Sequence, residues 1–184
     1  MLILKSKIKN LLKNFGIIKS KEFDSYGEAL QFCEKRTKGS YEANFLSKYR
    51  FEKFSNLLKK GLNINDFKWT NIFLFSISFY MYKNKGIYPR ILDFGGGCGE
   101  SIFLSKQIFG KEVLSKSWII ESPQTVKESK LWNFSKNLKF DSDIINVLKN
   151  NRVDIFFTSG TIQYLEDPLL ILKTIAKFQI PLIA

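Results

Sequence analysis

Residues 90–101 read Arg90-Ile91-Leu92-Asp93-Phe94-Gly95-Gly96-Gly97-Cys98-Gly99-Glu100-Ser101. A short apolar run carries one acid near its end, breaks into a glycine cluster, and continues into residues that suit a helix. Glycines let backbone amides come close to a ligand, and the helix start behind them adds a partial positive charge. Four glycines in five positions would forfeit stability without a reason of this kind. The stretch therefore predicts a buried strand, a ligand-binding loop and a helix.

On the carboxyl side the pattern alternates. Strand-like runs at 117–121, 138–140, 153–159 and 180–184 join the one at 90–94, and helix-like segments at about 100–109, 124–135 and 167–178 lie between or after them. Such alternation predicts an α/β fold with a parallel sheet and helices on both faces. Asp167 and Pro168 suit the N-cap and first position of the last helix.

On the amino side the pattern is helical. Residues 83–89 form a polar hinge containing Gly86 and Pro89, which divides the chain into a helical region at 1–85 and a sheet domain at 86–184. Ser25-Tyr26-Gly27-Glu28 is a capping box that opens a helix running to about Lys35. A stretch over 42–60, ended by Gly61, places Phe45, Leu46, Tyr49, Phe54, Leu57 and Leu58 mostly on one side. Residues 72–82 are apolar almost all round, which predicts a buried helix starting near Asp66. These 11 residues fall well short of the roughly 20 needed to span a bilayer. In the first 21 residues Leu4, Ile8, Leu11, Leu12 and Phe15 recur at helical spacing among six lysines and no acid. That stripe docks either on its own domain or on an anionic membrane surface.

Composition narrows the chemistry. The 184 residues are 45% hydrophobic and 25% charged, which suits a packed globular chain. There is no histidine, so Ser-His-Asp catalysis, HExxH zinc sites and imidazole switches are excluded. Cys33 and Cys98 form no CxxC pair, so a disulfide framework and a cysteine zinc site are unsupported, no metal is expected, and a reducing, cytoplasmic setting fits. The net charge of +12 sits at the front, with 17 Lys/Arg against 7 acids before residue 90 and 12 against 10 from there on. Only Arg36, Arg50, Arg90 and Arg152 are arginines. That scarcity speaks against nucleic acid as the partner.

The ligand of the glycine loop is narrowed by departures from known phosphate loops. A GxxxxGK[ST] loop needs glycine five residues beyond Gly95, and Glu100 stands there. A dinucleotide GxGxxG read from Gly95 also ends on Glu100, where an anion would sit near a pyrophosphate. What fits is Asp-x-Gly-x-Gly-x-Gly over 93–99.

This resembles motif I of class I S-adenosylmethionine-dependent methyltransferases. Glu121 ends the next strand, 22 residues after Gly99, as such enzymes require. Leu-Asp-Phe-Gly-Gly-Gly, Ile-Ile-Glu-Ser-Pro and Thr-Ser-Gly-Thr-Ile-Gln-Tyr-Leu-Glu-Asp-Pro, following a helical region, are together similar to a methyltransferase family associated with bacterial surface-polysaccharide clusters. The resemblance implies a Rossmann-like sheet and S-adenosylmethionine as cofactor. In it Asp93 orients the methionine amino group, Gly95, Gly96, Gly97 and Gly99 give close backbone access, and Glu121 accepts from both ribose hydroxyls. Asp143, or Asp141 beside it, accepts from the adenine amino group. Gln163 and Tyr164 face the methyl donor and acceptor, Tyr164 as proton acceptor or aromatic wall. The acceptor is a small molecule, with nucleotide-linked or lipid-linked sugars the implied class, and residues 1–21 offer peripheral membrane contact. A methyltransferase sheet has seven strands and this pattern supplies about five, so the expectation is a domain lacking its last two. Three rivals remain open: an inactive methyltransferase-like adaptor, an NAD(P)-binding oxidoreductase, opposed by Glu100, and a lysine-rich membrane-surface or nucleic-acid-binding protein with an incidental α/β fold.

Overall fold

A strand covered on both faces must send alternate side chains into two separate cores. The computed structural model, which describes residues 23–36, 44–63, 70–132 and 134–184, shows this alternation strand by strand. In β1 (Ile91–Phe94), Ile91 joins one core and Leu92 and Phe94 the other. In β2 (Ser117–Ile120), Ile119 joins the first, Trp118 and Ile120 the second. Ile155 and Phe157 of β4 (Ile155–Thr158) point with Ile91, and Phe156 points with Leu92. Each such side chain contributes about 1.5–3 kcal/mol on burial.

With β3 (Lys139–Asp141) and β5 (Leu182–Ile183) the strands form an all-parallel sheet in the order β3-β2-β1-β4-β5. The first core is closed by α2 (Asn44–Lys60) through Phe51 and Phe54, α3 (Asn71–Lys83) through Phe73, Ile77 and Tyr80, and α4 (Glu100–Phe109) through Ile102 and Phe103. A short helix α5 (Glu112–Ser115) adds Val113, and α6 (Pro123–Trp132) adds Trp132. The second core is closed by α7 (Ile144–Asn150) and α8 (Pro168–Lys177), through Ile144, Val147, Leu148 and Ile175. The fold is thus α/β with helices on both faces, as the alternation predicts.

The chain falls into two compact units, residues 1–40 and 41–184. The second joins α2 and α3 to the sheet. In the first, α1 (Tyr26–Arg36) is opened by the expected capping box: Ser25 Oγ accepts from Glu28 N at 3.2 Å, while the Glu28 carboxylate accepts from Asp24 N at 3.2 Å. Phe23 packs on Phe32 with ring centroids 5.0 Å apart. The lysine-rich stripe of residues 1–21 and the expected helix start near Asp66 lie outside the described residues.

One expectation is overturned. The apolar stretch at 72–82 is not buried all round. Phe73, Ile77 and Tyr80 pack inward, but Ile72, Phe75, Phe79 and Tyr82 are exposed, Tyr82 by 82%. A helix laid on one face of a sheet can bury only the side toward it, so composition alone overstated burial. Among the described residues no helix is long and apolar enough to cross a membrane.

The amino ends of β1 and β4 are pinned by a buried ion pair. Asp154 accepts from Arg90 Nε at 2.8 Å, from Arg90 Nη2 at 2.9 Å and from the Arg90 amide at 2.9 Å. Burial pushes the Asp154 carboxyl up, but these hydrogen bonds and the Arg90 charge outweigh it and hold the group below its usual range. Arg90 is therefore a structural residue at the end of the sheet away from the glycine loop.

Candidate functional site

In this strand order the chain leaves β1 toward β2 and β3 on one side and reaches β4 and β5 on the other. The carboxyl ends of β1 and β4 then flank the point where open α/β sheets place ligands. The glycine loop leaves β1 at this point. Gly95 donates to Ile120 O at 2.8 Å and Glu121 donates to Asp141 O at 3.0 Å, so the carboxyl ends of β1, β2 and β3 are tied in a row. From the other side Thr161, in the loop after β4, packs directly on Gly95, whose φ is +77°; a side chain there would overlap the Thr161 hydroxyl.

Three carboxylates converge on the loop. Glu121 Oε1 accepts from the Gly97 amide at 3.0 Å and Oε2 from the Ser122 amide at 3.0 Å. Glu100 Oε2 accepts from the Cys98 amide at 3.0 Å. Asp93 lies beneath, 3% exposed, with its carboxylate against the Gly96 backbone. Among the described residues the Asp93 carboxylate has no hydrogen-bond partner. Burial, reinforced by the charges of Glu100 and Glu121, pushes its carboxyl up to about 8. Burial also raises Glu100, against the pull of two amide hydrogen bonds and the charge of Arg50 on α2. Cys98 is buried and its thiol is pushed up, which suits a packed loop residue rather than a nucleophile.

The remaining expected residues are placed as follows. Asp143 is the N-cap of α7, its Oδ1 accepting from Ile145 N at 2.8 Å and Asn146 N at 3.0 Å. Asp141 beside it accepts from Asp143 N at 2.9 Å and from Asn146 Nδ2 at 3.2 Å. Both acids thus serve the turn into α7 and sit at the carboxyl end of β3. Gln163 and Tyr164 lie on a single 3₁₀ turn, Ile162–Tyr164, two to three residues beyond Thr161 and exposed at the carboxyl edge of the sheet. Asp167 caps α8 through Leu170 N at 3.0 Å, with Pro168 at the first helical position.

Sequence reasoning missed two polar groups here. Thr161 entered only within the Thr-Ser-Gly-Thr-Ile-Gln-Tyr-Leu-Glu-Asp-Pro resemblance; its signal is Gly95 at the end of β1, the strand paired with β4, which leaves room for it. Thr158, paired with Phe94 across the β1–β4 ladder, has a buried hydroxyl without a hydrogen-bond partner among the described residues. Among the described residues no group of His, Cys, Asp and Glu could hold a metal ion. Compared with family models, with curated proteins and with solved structures, the chain matches none of them.

Proposed function

We propose that the chain is an S-adenosylmethionine-dependent methyltransferase acting on a small-molecule acceptor, with nucleotide-linked or lipid-linked sugars of surface-polysaccharide synthesis as the favoured class. The observation that carries this reading is the placement of Asp93 and Glu121 on either side of one glycine loop at the β1–β4 switch point. The chain's own residues fit the cofactor on a physical count. Asp93 is a deeply buried acid without a hydrogen-bond donor among the described residues, its carboxyl pushed up to about 8 by burial and by the charges of Glu100 and Glu121, and a ligand ammonium group would favour its ionised form.

When bound, S-adenosylmethionine supplies a methyl group already activated on a sulfonium. The protein's work is then to bind, orient and exclude water, which a chain without histidine can do. Glu121 accepts one hydrogen bond on each oxygen, from the Gly97 and Ser122 amides, leaving carboxylate lone pairs to accept from a vicinal diol. Asp93 holds the amino group, and a cation beside it returns the carboxyl to its ionised form. Asp143 keeps Oδ2 outside its cap hydrogen bonds and is the acid for the adenine amino group. Gln163 and Tyr164 form the acceptor side.

The test is transfer of a labelled methyl group from S-adenosylmethionine to a panel of nucleotide-linked and lipid-linked sugars. Label appearing in one acceptor, and lost in Asp93→Asn, is the expected result. Binding of S-adenosylmethionine with no transfer to any acceptor or cell-extract fraction would favour the adaptor reading instead.

A further inference from the structure

Glu100 stands at the first position of α4, where an acid ordinarily interacts with solvent and with the helix dipole. Here its carboxylate folds back, Oε2 accepting from Cys98 N at 3.0 Å. The loop is shaped to admit it: Gly97 has φ +59°, and a Cβ there would lie 3.0 Å from Glu100 Oε2. The neighbouring amide, Gly97 N, is taken by Glu121 Oε1 at 3.0 Å. Successive amides at a glycine loop and helix start are the donors that a phosphate or a ligand carboxylate would use. In this chain both are already given to side-chain carboxylates.

A second observation says what the loop accepts instead. Asp93 is more than nine-tenths buried, has no hydrogen-bond partner among the described residues, and is directed at the Gly96 backbone. The charged groups acting on this cluster are Glu100 from α4, Glu121 after β2 and Arg50 from α2. Among the described residues three acids crowd one cation in a poorly solvated place, and the upward shifts of Asp93 and Glu100 mean that further negative charge is opposed there while an incoming cation is favoured.

We propose that Glu100 is a specificity-determining residue: beside Glu121 on the Gly97 amide, it occupies the Cys98 amide of the glycine loop and makes the site select the cationic end of a nucleoside ligand while rejecting pyrophosphate and phosphate. The inference rests on the reading of this site as a receptor for S-adenosylmethionine, whose ammonium and sulfonium groups supply that cationic end.

The experiment is calorimetric titration of S-adenosylmethionine, NADH and inorganic pyrophosphate into wild type, Glu100→Gln and Glu100→Ala at fixed pH and ionic strength. Wild type is expected to bind S-adenosylmethionine and give no measurable heat with pyrophosphate or NADH. Glu100→Ala frees the Cys98 amide and gains at least tenfold in pyrophosphate affinity; Glu100→Gln removes the charge, keeps the bulk and gains less. Both lose at least fivefold for S-adenosylmethionine. Folding is checked by circular dichroism, and Glu100→Gln, nearly isosteric, decides the matter should the alanine variant not fold. Unchanged pyrophosphate affinity in the folded variants would overturn the proposal. Gain of pyrophosphate binding in a protein that never binds S-adenosylmethionine would instead uphold the role of Glu100 and remove the cofactor reading.

Discussion

Asp93 is the residue on which most of the site's chemistry turns. An aspartate in an unfolded chain loses its proton near pH 3.9, about the model-peptide value, whereas in the folded protein burial and two neighbouring acids move Asp93 to about 8. Between those values the folded state binds more protons than the unfolded state. Stability of the ligand-free protein therefore falls as pH rises through this window; below it both states are protonated and the penalty is absent. With no histidine in the chain, few other groups titrate there, and raised Glu100 acts in the same direction. Urea midpoints should drop between pH 5.5 and 8.5, and Asp93→Asn should at least halve the slope. An unchanged slope in that variant would mean Asp93 is ionised in the empty protein. Glu121 makes a separate prediction: Glu121→Ala should weaken S-adenosylmethionine binding by about 1–3 kcal/mol, the scale of a lost charged hydrogen-bond pair, measured as the ratio of dissociation constants. Asp93, the glycines and Glu121 were legible in the sequence because strand ends and loop spacing put them at one edge. That Glu100 would turn back onto Cys98 was not, because a side-chain rotamer leaves no periodic trace.

At the scale of elements, the helix α4 follows its pattern residue for residue over 100–109, since a glycine turn starts it and Gly110 ends it. Helices α5 and α7 were missed. Both are short, and in α7 the polar start 141–143 was weighed as ligand chemistry while the local work of those acids went unseen. Asp143 as N-cap gives a direct check. Asp143→Ala should cost about 1 kcal/mol of stability by chemical denaturation, while Asp143→Asn, an equally good cap, should cost little. Equal losses would argue that the carboxylate charge, not the cap, matters to the fold. In α3 the periodicity was misjudged because phenylalanine and isoleucine occupy the outward as well as the inward positions. Its inward face bears the load: Phe73 meets Phe157 of β4 edge to face, with centroids 4.8 Å apart, and Phe157 is 3% exposed. Phe157→Ala should destabilise by about 3–5 kcal/mol, whereas Phe75→Ala on the exposed side should change stability by about 0.5 kcal/mol or less.

For the molecule as a whole, the strand order β3-β2-β1-β4-β5 is what converts separate motifs into one site. It brings the loop after β4 onto Gly95 through Thr161, a contact between positions 66 residues apart in the sequence. Alternating strands and helices made the layered fold readable. The meeting of the two loops follows only from the order in which the strands pair. In the sequence the excess of lysine lies before residue 90, whereas the groups acting on the glycine loop among the described residues are mostly acids. Titration of S-adenosylmethionine into the purified 184-residue chain, followed by calorimetry at neutral pH, tests the central claim most directly. One-site binding with a micromolar dissociation constant, about −8 kcal/mol, is predicted; no heat and no thermal shift with S-adenosylmethionine or its demethylated product would contradict it.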